Sequence, residues 1–133
     1  MSKVTVFGAG AWGSTMAQVL SDAGNDVLLW GRSADVIAEI NGAHTNTKYL
    51  SSHTLPKNIK ATTDLKEAFD FSDTYVLAIP AQQLRTTLQE WKPYFSAESI
   101  IISTLKGIEI SSQMRMTRSE ERRVGKECLR LCR

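Results

Sequence analysis

Short apolar runs alternate with longer stretches of helical spacing along most of this chain. The first run, KVTVF at residues 3–7, is rich in β-branched residues and stops at Gly8. The next stretch, AWGSTMAQVLSDAG at 11–24, carries apolar residues at Met16, Ala17, Val19 and Leu20 and ends on Gly24. That spacing predicts a helix with a glycine stop. DVLLW at 26–30, broken by Gly31, reads as a second strand. SADVIAEING at 33–42 reads as a second helix, with Ser33 as N-cap and Gly42 as C-cap. The polar stretch 43–58 is long for a connection and holds Tyr49, Leu50 and Leu55; ordered loops of that length are often functional. After it come a strand at 59–62, a helix at 64–69 capped by Asp64, a strand at 74–80 ended by Pro80, a helix at 81–91 and an apolar strand at 99–105.

Strands that are apolar throughout and alternate with helices belong to a parallel sheet covered on both faces. The predicted class is α/β: a Rossmann-type doubly wound parallel sheet, incomplete at its C-terminal side. A chain of 133 residues holds one domain of ordinary size. Its boundaries are expected at residues 1–113, with 114–133 a disordered tail.

Composition sharpens that division. Overall, 42% hydrophobic and 23% charged residues are those of a globular protein. No apolar run is long enough for a membrane span, and no signal peptide opens the chain, so a cytoplasmic address is expected. The net charge of +2 is unevenly spread: there are 9 basic and 11 acidic residues up to Met114, then 7 basic and 3 acidic. Both cysteines, Cys128 and Cys132, lie in the basic segment, which leaves the body without a disulfide framework or thiolate metal site. A basic arm for nucleic acid would need aromatic or groove-reading residues, and this one has none. Residues 118–128, RSEERRVGKEC, resemble instead the translation of a common sequencing adapter.

The chemistry is concentrated at the first turn. Gly8, Gly10 and Gly13 form G-x-G-x-x-G between a strand and a helix, the setting in which that pattern binds a dinucleotide. The first glycine permits the turn, the second admits a pyrophosphate close to the backbone, and the third lets helix and strand pack closely. The phosphates would sit on unpaired N–H groups at the positive end of the helix dipole. At the end of the second strand an NAD site usually offers Asp or Glu to the ribose. Here the residues are Arg32 and Ser33, and a guanidinium favours a 2′-phosphate. The expected cofactor is NADP(H), with NAD(H) tolerated.

Six segments together resemble the N-terminal domain of bacterial NAD(P)-dependent glycerol-3-phosphate dehydrogenases: GAGAWGSTMA, VLLWGR, NTKYL…LP, TDLKEAF, LAIPAQQLR and STLKGIE. The resemblance runs in order from about Lys3 to Ser111. It implies that Ala11, where the family commonly has serine, and Trp12 lie against the cofactor. Arg32 and Ser33 then match the adenosine-ribose end, Tyr49 a position near the cofactor, and Pro80 the turn facing the nicotinamide. Lys106, directly after an apolar strand, matches a lysine that contacts both cofactor and substrate.

The implied reaction is reduction of dihydroxyacetone phosphate to sn-glycerol 3-phosphate, a phospholipid precursor, in a parent enzyme that is homodimeric. No catalytic residue is assigned within this chain, because the family's general acid/base lies in a helical domain with no counterpart here. The chain alone is expected to bind cofactor and turn over nothing. Two other readings stand beside this one: a related Rossmann dehydrogenase, such as a ketopantoate or hydroxyacyl-CoA reductase, and a non-catalytic NAD(P)-binding sensor. His44 and His53 are expected to be solvated, and Trp91 and Tyr94 to cover the sheet.

Overall fold

The computed structural model describes residues 2–105 and a strand at Leu129–Leu131. Strand β1 (Lys3–Phe7), helix α1 (Ala11–Asp22), strand β2 (Asp26–Trp30) and helix α2 (Ala34–Ala43) follow in order. A small hairpin, β3 (Thr45–Asn46) with β4 (Leu50–Thr54), leads to β5 (Lys60–Thr62), α3 (Leu65–Phe71) and β6 (Thr74–Leu77). A 3-10 turn (Ala81–Gln83) opens α4 (Leu84–Trp91), and β7 (Ile100–Ser103) and β8 (Leu129–Leu131) complete the elements. Six strands form one parallel sheet in the order β5-β2-β1-β6-β7-β8, and the antiparallel hairpin stands apart. Among the described residues no helix is long and apolar enough to cross a membrane.

Strand alternation explains why both faces are covered. Val4 and Val6 of β1, with Val27 and Leu29 of β2, face Ala17, Val36, Ile37 and Ile40 of α1 and α2. Phe7, Leu28 and Trp30 face the other way, onto Phe69 of α3 and Leu84, Leu88 and Trp91 of α4. Successive side chains of a strand point to opposite faces, so an unbroken apolar run serves two cores. Phe7 is the hub of the second core, its ring centroid 4.6 Å from that of Trp91 and 4.8 Å from Phe69. Trp91 and Tyr94 do cover the sheet side, Tyr94 stacking on Phe69 at 5.0 Å.

The edge strand β5 is closed by a side chain. Asn41 of α2 donates from Nδ2 to Ala61 O (2.8 Å) and accepts from Ala61 N at Oδ1 (2.9 Å). The amide thus takes the place of a further strand at an edge that would otherwise offer unpaired backbone.

Three expectations are corrected. Helix α2 ends one residue later, and its C-cap is His44 in the left-handed region (φ 56°), not Gly42. The stretch read as a loop contains the β3–β4 hairpin. Its strands carry no apolar run in the sequence, since β3 is two residues long and most of β4 is exposed. Helix α1 buries Gly13, Ser14, Ala17 and Ser21, while Val19 is 55% exposed; close approach to the sheet selects small residues over the larger apolar ones. Strand β8 pairs with β7, Ile101 lying opposite Leu129. Leu129–Leu131 belong to the segment 114–133 expected as a disordered tail. The rest of 106–133 lies outside the described residues.

Phe7→Ala is expected to cost about 3–5 kcal/mol by emptying the centre of the aromatic core. Urea unfolding of the full chain checks this, and a loss under about 1 kcal/mol would contradict it.

Candidate functional site

Strand register brings four strand ends to one edge. Phe7 pairs with Trp30 and with Leu77, and Leu77 with Ser103, so β1, β2, β6 and β7 end level. Beyond those ends lies a cleft of about 780 Å³, within the size range of small-molecule and cofactor sites. Open α/β sheets bind ligands outside the carboxyl ends of their strands.

The glycine turn forms one wall. Gly8 adopts φ +117°, and a Cβ there would lie 2.4 Å from Ala78 O. A Cβ at Gly13 would lie 1.7 Å from Gly8 O, so α1 can rest on the turn only because that side chain is missing. Gly10 differs: a Cβ there would meet nothing within 4 Å, and the residue lines the cleft. Gly10 is also the N-cap of α1 and brings no side-chain cap. The first amides of α1 therefore have no partner among the described residues, a ready site for an anion. Helix α3 shows the contrast, its first turn closed by the Asp64 carboxylate on the amides of Lys66 and Glu67.

Of the residues singled out in the sequence, Gly8, Gly10, Ala11, Trp12, Arg32, Ser33, Tyr49 and Pro80 all line this one cleft. Gly13 does not; it lies beneath the turn and shapes it. Arg32 and Ser33 are exposed at the end of β2, and Ser33 occupies the N-cap position of α2 without spending its hydroxyl on the cap. Asp35 lies in the first turn of α2. Trp12 is 54% exposed, and Tyr49 is 45% exposed beneath the Lys48 ammonium, which sits 5.4 Å from its ring centroid. Lys106 lies outside the described residues; Leu105, its neighbour in sequence, lines the cleft.

Sequence reasoning missed several lining residues, among them Ala9, Trp30, Gly31, Gln83 and Thr104. Most sit within a residue or two of a strand's carboxyl end, and that position was the available signal. Thr104 also holds β7 to β6 through Oγ1 donating to Leu77 O at 2.7 Å.

The hairpin packs beside the glycine turn, brings Tyr49 to the cleft and is fastened at two points. Glu39 of α2 accepts from Thr45 Oγ1 (2.7 Å), Thr47 N (2.8 Å) and Thr47 Oγ1 (3.2 Å). The Thr47 amide above all, then the Thr45 hydroxyl, hold its pKa below the usual carboxylate value. Asn46, fully buried, donates from Nδ2 to Ala9 O (3.0 Å) and to Ser14 Oγ (2.9 Å). Its Oδ1 and His44 Nδ1 are buried without partners among the described residues; each such orphan costs about 1–3 kcal/mol. His44 was expected to be solvated and is half-buried. His53 is exposed and meets Gln18 of α1.

A parallel sheet with a glycine turn, an uncapped helix start and a cleft at the strand ends defines a dinucleotide-binding α/β domain. Residues 3–132 match the family described as NAD-dependent glycerol-3-phosphate dehydrogenase N-terminus, and the chain belongs to that family. It is 45% identical over 115 residues to the glycerol-3-phosphate dehydrogenase [NAD(P)+] of Streptomyces avermitilis, covering 86% of this chain and 34% of that protein. Among solved structures, the glycerol-3-phosphate dehydrogenase of Coxiella burnetii superposes with TM-score 0.85 at 25% identity, covering 97% of this chain and 39% of that one. The enzyme GPD1 of Saccharomyces cerevisiae gives 0.82 at 29% identity, covering 92% and 39%. The chain spans about a third of the length of the curated relatives it matches.

Two predictions follow from this geometry. Gly10→Ala is expected to leave stability within about 0.5 kcal/mol, since open space receives the methyl, yet to abolish dinucleotide binding. Gly13→Ala is expected to cost about 3 kcal/mol or more through backbone collision. Thermal unfolding with and without NADPH separates the two, and equal stability losses would refute the assignment.

The second concerns acid. A carboxylate whose folded pKa is lowered contributes stability above its unfolded value, about 4.3, and loses it as pH falls through the folded value. The hairpin should therefore loosen only as pH falls below the ordinary carboxylate value, seen as a shift of the Thr47 amide resonance that Glu39→Gln removes. A Glu39 titration midpoint at or above the ordinary carboxylate value would contradict this.

Proposed function

We propose that this chain is the cofactor-binding part of an NAD(P)H-dependent enzyme that reduces dihydroxyacetone phosphate to sn-glycerol 3-phosphate. The observation that carries the reading is the uncapped start of α1 beside Gly10, opening on a cleft of about 780 Å³. Those features fit a dinucleotide: unpaired amides for the pyrophosphate, and no side chain where it would approach. The amides of Gly10, Ala11 and Trp12 would hold the pyrophosphate, on a turn that Gly8 and Gly13 allow. Arg32, with the free Ser33 hydroxyl, would take a 2′-phosphate by charge-assisted hydrogen bonds, which favours NADP(H) while tolerating NAD(H). Tyr49 would flank the cofactor from the hairpin, and Pro80 would border its nicotinamide half.

When bound, the nicotinamide supplies hydride chemistry, and the protein supplies orientation. Lys106 is the residue proposed to meet the substrate's phosphate or carbonyl oxygen, a role that rests on the STLKGIE resemblance. The substrate is a small molecule. The proton donor is not among this chain's assigned residues, so binding without turnover is the expected behaviour of the chain alone.

Calorimetric titration of the purified chain with NADPH and NADH tests the proposal, followed by an assay for dihydroxyacetone phosphate-dependent NADPH oxidation. Binding without turnover is expected. Failure to bind either nucleotide would sink the reading. Arg32→Ala should weaken NADPH about 10–100-fold, the worth of a hydrogen bond to a charged group, and leave NADH nearly unchanged. Equal losses for both nucleotides would remove Arg32 from the 2′-phosphate site.

A further inference from the structure

We infer that Asn46 is a positioning residue that sets the plane of the Ala9–Gly10 peptide and so aims the Gly10 N–H into the cleft. The inference rests on the cofactor-binding reading and adds a residue that the glycine motif does not contain.

The argument begins with peptide geometry. The described residues hold no cis peptide bond, and in a trans peptide the C=O and N–H point in opposite directions. Asn46 Nδ2 donates to Ala9 O at 3.0 Å, which turns that carbonyl towards the hairpin. The N–H of the same unit, on Gly10, is thereby turned the other way. Gly10 lines the cleft, and a Cβ on it would meet nothing. The second donor of Asn46 goes to Ser14 Oγ at 2.9 Å, in the first turn of α1. Both donors of one buried amide thus hold the turn and the helix that follows it.

The backbone of Asn46 serves Tyr49. Its carbonyl accepts from Tyr49 N at 3.1 Å, closing the turn that presents Tyr49 to the cleft. One residue therefore fixes the spacing between glycine turn and hairpin.

Asn41 supplies the comparison. Both ends of its amide are satisfied by Ala61, as expected of a side chain kept for stability. Asn46 leaves Oδ1 buried and unpartnered among the described residues. An amide that spends its donors and strands its acceptor is poorly suited to stability alone; what it provides is the direction of a peptide.

The test compares two ligands of the full chain, well below its unfolding temperature. ADP-ribose carries a pyrophosphate, and adenosine 2′-monophosphate does not. Asn46→Ala should weaken ADP-ribose about tenfold or more while leaving adenosine 2′-monophosphate within about twofold. Ser14→Ala, which keeps the bond to Ala9, should leave both within about twofold. Should Asn46→Ala fail to fold, Asn46→Leu keeps the volume and removes the stranded oxygen, and it should show the same selective loss. A parallel loss of both ligands, or no loss of either, would overturn the role of Asn46. A wild-type chain that binds neither ligand would overturn the cofactor-binding reading, and this inference with it.

Discussion

The fold of the site depends on one contact, the seating of α1 against the carbonyl of Gly8. Where a side chain at position 13 would stand, a Cβ would be 1.7 Å from that oxygen. Removing the side chain lets the helix start immediately beyond β1, with its first amides at the level of the strand ends. The same closeness explains why the helix buries Gly13, Ser14, Ala17 and Ser21 and leaves Val19 in solvent. A larger buried residue would lift α1 from the sheet and take the positive end of its dipole away from the cleft. Cleft depth, helix register and anion-binding geometry are consequences of that single packing distance.

The hairpin is the second constraint, and it belongs to the site more than to the core. Its strands are short and mostly exposed, so little apolar burial holds it. Side-chain hydrogen bonds do that work: Glu39 grips Thr45 and Thr47, and Asn46 reaches across to Ala9 and Ser14. A wall held by polar contacts can be set at a defined distance from the glycine turn without a large core behind it. The arrangement also makes that wall sensitive to charge and to single substitutions in a way that β1 and β2 are not.

Legibility in the sequence followed the physics of burial. KVTVF and DVLLW are legible to the residue because each opens on an exposed charged residue, continues as a buried run and is stopped by glycine. The later strands are shorter than their sequence pattern, since TYVLAIP and SIIISTL run past the last ladder pair into cleft-lining residues. The cleft was legible wherever a residue type carries its own signal, as with Gly8, Gly10, Arg32 and Pro80. Trp30 and Thr104 were not, because their contribution comes from ending level with neighbouring strands, which only register reveals. Asn46 was least legible of all. An asparagine in a polar stretch reads as a turn residue, and nothing local indicates that its amide is buried against a turn 37 positions away.

The concessions in this structure are not evenly distributed, and their placement supports the functional reading. Away from the phosphate turn and the hairpin the local rules are kept: Asp64 caps α3, Asn41 closes the β5 edge, and aromatic rings interlock around Phe7 and Phe69. At the cleft and its hairpin they are broken together. Helix α1 begins uncapped, Trp12 and Tyr49 stand in solvent, His44 adopts a left-handed backbone, and two buried polar atoms lack partners among the described residues. Each of these costs free energy, and sequences that specify a fold tend to tolerate such costs where function requires them. A turn serving only to join β1 to α1 would need none of them. A turn that must present amides to a phosphate, with a wall set at fixed distance opposite, accounts for all but the buried His44 nitrogen, for which the geometry gives no reason.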